Sequence, residues 1–185
     1  MDLIFQNPFR ILGLPVTATD REIVKQISDI SIYTDMGKPV EYDCDHFFSI
    51  KPVRTIESIK EAKQKIDQPN DKLFYALFWF LESSNNTIDE MAFEELKNGN
   101  IEKAISFWKA ETKNKVSYHN SSIYKNLFTL QLGMSIEDGN LKKDHFLSSI
   151  SLSGEFLTNG YLEDFTNDVL GDNHSVDLLV IKNQY

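Results

Sequence analysis

The chain has 185 residues, 41% of them apolar and 12% aromatic, with 19 Lys/Arg against 28 Asp/Glu for a net charge of −9. That is ample material for a buried core, which excludes intrinsic disorder. Nine basic residues face sixteen acidic ones beyond residue 81, which excludes general nucleic-acid binding, since that rests on neutralising phosphates with Lys and Arg.

A single cysteine, Cys44, rules out an internal disulfide framework and fits a reducing compartment. The opening MDLIFQNPFR lacks the basic flank and long apolar run of a secretory signal. The longest apolar stretch, 73–81, is about half the length a bilayer span requires. The expected setting is cytoplasmic, with no membrane contact.

Asn7-Pro8 places a capping residue before proline at the first helical position, and the short helix it opens should close at Gly13. Thr19-Asp20-Arg21-Glu22 has the form of a capping box, and Ile23, Ile27 and Ile30 then recur at helical spacing for about twelve residues. Between 34 and 54 the periodicity stops, and Gly37, Pro39 and Pro52 predict a long loop with a turn near 47–50. Thr55 opens a helix carrying Ile56, Ile59, Ala62 and Ile66, and Asp67-Gln68-Pro69 stops it. Asn70 is expected to cap a helix over LFYALFWFL that is apolar on nearly every side and therefore central.

Two shorter helices follow. Thr87-Ile88-Asp89-Glu90 reads as a second capping box, Asn98-Gly99 as a left-handed helix end, and Ile101, Ala104, Ile105 and Trp108 as the stripe of the partner helix. The pair looks like one hairpin of the tetratricopeptide type. Further helices are expected over 117–132, 141–152 and 154–170, with the tail SVDLLVIKNQY either a strand or a docking terminus. The fold class is all-α, with a module at 1–81 and a repeat-like helical region at 82–185.

Phe9-Arg10-Ile11-Leu12-Gly13-Leu14, followed by Ala18-Thr19-Asp20-Arg21-Glu22-Ile23, resembles the first two helices of a J-domain (DnaJ-like). Ile59-Lys60-Glu61-Ala62 through Ile66-Asp67-Gln68-Pro69 to Lys72 and Tyr75 is similar to that family's third helix and its ending. In the family, the loop after the second helix carries His-Pro-Asp, and the resemblance implies that this triplet docks on and stimulates a heat-shock ATPase. Ungapped counting puts Asp35-Met36-Gly37 there, and His-Pro-Asp occurs nowhere in the sequence. The family's basic second helix is represented only by Arg21 and Lys25 against Asp20, Glu22 and Asp29, so electrostatic steering is weak. The start Asn7–Pro15 and the run Phe78–Phe80 also resemble bacterial proteins with downstream helical repeats, a pattern that brings no settled activity.

The densest set of ligating groups is Asp43-Cys44-Asp45-His46, but zinc sites draw on a second ligand pair at set spacing, and His119, His145 and His174 are scattered. Tyr118-His119-Asn120 with Ser121-Ser122 brings a base near hydroxyls without an orienting third group, and helix capping by Asn120 or Ser121 accounts for the same residues. Glu90, Glu94 and Glu95, and the pair Glu163-Asp164, read as wet helix faces. The eight glycines form no phosphate loop.

The expectation is therefore a non-enzymatic protein–protein interaction module without cofactor or metal. Its partner surface is expected at Arg21, Lys25, Asp35, Met36, Gly37 and Lys38. The competing expectations are a divergent co-chaperone that uses Asp35, and a metal protein or enzyme centred on Cys44 and His46.

Overall fold

Asn7 opens the first capped helix as its sequence demands: its Oδ1 accepts from the Phe9 N–H at 3.1 Å, and Gly13 ends the helix at φ +64°. The computed structural model describes residues 2–82, 86–113, 115–137, 139–172, 176, 178 and 181. In chain order these form α1 (Asp2–Phe5), α2 (Pro8–Leu12), α3 (Asp20–Asp35), a 3-10 turn (Asp43–Phe47), α4 (Ile56–Lys65), α5 (Pro69–Leu77), α6 (Thr87–Lys97) and α7 (Ile101–Glu111). Then come α8 (Ser121–Met134), β1 (Ile136–Glu137), β2 (Asn140–Leu141), α9 (Lys143–Thr158) and α10 (Tyr161–Leu170). The all-α expectation holds, since the described strands are a two-residue antiparallel ribbon with Ile136 opposite Leu141.

The expected capping box at Thr19 forms, and Thr55 caps α4 as expected. The Glu22 carboxylate accepts from the Thr19 N–H at 2.8 Å, and the Thr55 hydroxyl accepts from the Ser58 N–H at 3.1 Å. Helix α2 packs on α4, α3 on α2 and α4, and α5 on α2 and α4. Leu12 and Ile59 are fully buried between them and Ile27 is partly buried. Lys72 reaches across to donate to the Ala18 carbonyl at 2.7 Å. In the second half α6 packs on α7 across the Asn98–Asn100 turn, α8 on α9, and α10 on α9 and on α5. The buried side chains on both sides of residue 81 belong to one cluster.

Four expectations at element ends are corrected. Helix α3 runs sixteen residues, because its last turn stays in register up to Gly37. Asn86, not Thr87, caps α6, accepting from the Ile88 N–H at 3.0 Å, and Asp89 is buried. Gly154 lies inside α9, and the chain turns at Asn159-Gly160 instead. Of the tail, the described Leu178 and Ile181 are helical and Ile181 is fully buried, so the tail docks there, while residues 173–175, 177, 179–180 and 182–185 lie outside the described residues.

The fourth correction matters most. Helix α5 starts at Pro69 after Gln68 and stops at Leu77, so Phe78-Trp79-Phe80-Leu81 is not helical. All four side chains are nonetheless buried. An irregular path sends them to separate neighbours: Phe80 lies 5.2 Å from Phe47 and 6.3 Å from Trp108, whereas Phe78 lies 6.2 Å from Phe128. Each such ring contributes about 1.5–3 kcal/mol through burial. Backbone groups released from the helix must find other partners in this dry interior, and α8 supplies them.

Candidate functional site

Helix α8 carries Lys125 and Asn126, both fully buried. The Asn126 side-chain amide acts as a peptide surrogate: its Oδ1 accepts from the Leu81 N–H at 2.7 Å and its Nδ2 donates to the Leu81 carbonyl at 2.9 Å. Lys125 Nζ donates to the Trp79 carbonyl and to Thr129 Oγ1. It also lies 5.7 Å from the Phe128 and Phe165 ring centres. Complete burial drives its amine well below the ordinary lysine value.

Beside it, the buried Asp89 carboxylate accepts from Trp108 Nε1 at 2.7 Å, Ser122 Oγ at 2.6 Å and Asn126 Nδ2 at 3.1 Å. Burial raises the Asp89 pKa, and the three donors oppose that rise. Every one of these polar groups is consumed in joining α6, α7, α8 and the Trp79–Leu81 segment. The sequence signal for this centre was Lys125-Asn126 beside the apolar residues of α8, and Asp89 was passed over as an inner position of the Thr87–Glu90 capping box.

The residues expected to hold or transform a ligand are drawn apart. Asp45 is paired with Arg54 through two bonds of 2.7 and 2.8 Å. Asp43 points instead to Lys97 at 3.0 Å, and His46 is exposed. Burial pushes the Cys44 thiol up to about 12, with the Asp45 charge adding to the rise, so it is a protonated, weakly nucleophilic group. Among the described residues no three His, Cys, Asp or Glu groups are placed to hold a metal ion.

The Ser122 hydroxyl is committed to Asp89. Asn120 does not cap α8 with its side chain; it accepts from the Ser117 N–H at 2.7 Å and holds the preceding loop. His119 lines a cleft of about 340 Å³ with Tyr118, Asp164 and Asp168. Burial and the neighbouring Asp164 raise the Asp168 carboxyl.

The expected partner-binding residues are strung along α3 and its end, with Arg21 and Asp35 about 21 Å apart at opposite ends of the helix. Arg21, Lys25 and Asp35 are exposed; Met36 follows the helix, and Gly37 takes φ +67° so that the Lys38 N–H can return to the Tyr33 carbonyl at 2.9 Å. Gly37 and Lys38 border a cleft of about 420 Å³ walled by Pro39 and Pro52. Beyond Met36, sequence reading missed the apolar residues that α3 exposes. Val24 is 61% exposed, Ile32 55%, Met36 59% and Tyr33 49%. At 100° per residue Ile32 and Met36 share the face that carries Arg21 and Lys25, opposite the buried Ile23 and Ile30, with Val24 at one edge of that face and Tyr33 on the other flank of the helix. The turn itself is rigidly based. Arg54 donates to the Arg10, Ile11 and Val40 carbonyls at 2.8–3.0 Å, and its guanidinium lies 4.6 Å from the Tyr42 ring centre.

No protein-family model, curated protein or solved structure matches this chain.

Proposed function

We propose that the chain is a non-enzymatic protein–protein interaction module built on a J-like helical scaffold, with a hairpin-built second part of the tetratricopeptide type. The observation that carries this reading is the exposed side of α3, where Val24, Ile32 and Met36 accompany Arg21 and Lys25 and lead into the Asp35–Lys38 turn. Isolated exposed apolar residues are ordinary, but Val24, Ile32 and Met36 on the Arg21/Lys25 side of one helix, each more than half exposed, form a surface suited to a partner protein. The order of a short helix, a longer helix, a long loop and a third helix supports the J-like part. The paired commitments of Asp45, Asp89 and Ser122 favour binding over catalysis. The triplet that would stimulate an ATPase is missing from the turn, so the patch is expected to hold a partner without activating it.

Affinity capture from the cell of origin tests this. The wild-type chain should retain a specific protein that the Val24→Glu/Ile32→Glu variant loses, with the variant's thermal midpoint unchanged because both sites are exposed. The rate of the cognate heat-shock ATPase should stay at its basal value. Stimulation would overturn the reading in favour of a divergent co-chaperone, which the position of Asp35 beside the Gly37–Lys38 cleft favours as the second reading; Asp35→Asn should then abolish the stimulation.

A further inference from the structure

We draw no further inference here: the strongest candidate, the cleft lined by the first turn of α8 together with Glu82, Asp164, Asp168, Tyr118 and Tyr161, carries nothing, because it is an acidic cluster at a helix end and neither of the buried polar atoms left without a partner among the described residues, Arg10 Nε and Gln131 Nε2, lines it.

Discussion

Lys125 is the residue with the most at stake. Its amine sits among Phe128, Phe165 and the Trp79 carbonyl, and burial lowers its pKa well below 10.5. Below the folded value both folded and unfolded chains hold the proton, and the burial penalty is constant. Between the folded value and 10.5 the unfolded chain holds a proton that the folded chain has shed, so stability rises with pH across that window. Lys125→Met keeps the length of the side chain and removes the titration. Denaturant midpoints taken from about pH 7 to pH 10 should show the wild type gaining on Lys125→Met as pH rises, the slope being set by the proton difference between states. A flat difference would mean that the amine is not desolvated in solution.

At the scale of elements, helix α8 and the loop before α4 meet at Gly133. A Cβ there would stand 2.2 Å from the Phe48 ring, in a helix whose backbone otherwise accepts alanine. Gly133→Ala should therefore destabilise by about 1–3 kcal/mol through overpacking, a sum in which the better helix propensity of alanine is outweighed; thermal or chemical denaturation measures it. Phe48→Leu in the same chain should recover part of the loss. Sequence periodicity read the helices well wherever a cap and a one-sided stripe coincided, as at Thr19 with Ile23 and Ile30, or Thr55 with Ile59. It failed where the deciding partner is remote. Nothing local distinguishes LFYALFWFL from a continuous helix, because the groups that take over its backbone at Trp79 and Leu81 sit 45 residues or more downstream. The same remoteness hid Asp89, whose donors come from α7 and α8. The candidate surface on α3 was legible in its charged members and in its turn with Met36, but not in Val24 and Ile32, since hydropathy alone does not say which apolar residues of a helix remain uncovered.

For the whole molecule, the 36–55 connection acts as a joint. The Arg54–Asp45 pair is nearly closed off from solvent at 6% and 2% side-chain exposure and binds three carbonyls of α2 and the loop. Arg54→Ala would leave the Asp45 carboxylate buried without its partner, which should cost about 3–5 kcal/mol. Hydrogen exchange should then rise across residues 36–55 and along α2, and loss confined to the loop alone would contradict this account. Phe47 and Phe48 carry the joint onward to Phe80, Phe93 and Trp79, so the face at the end of α3 is anchored to the second half of the chain.

The clasp of Asn126 on the Leu81 peptide has a consequence for how the protein comes off the ribosome. Residues 1–81 emerge with the Trp79 carbonyl and both backbone groups of Leu81 lacking their buried partners, a defect that is not repaired until α8 has been made. The nascent first half is thus held in an unfinished state for the time needed to add some forty-five residues, and its closing step is triggered from the far end of the chain.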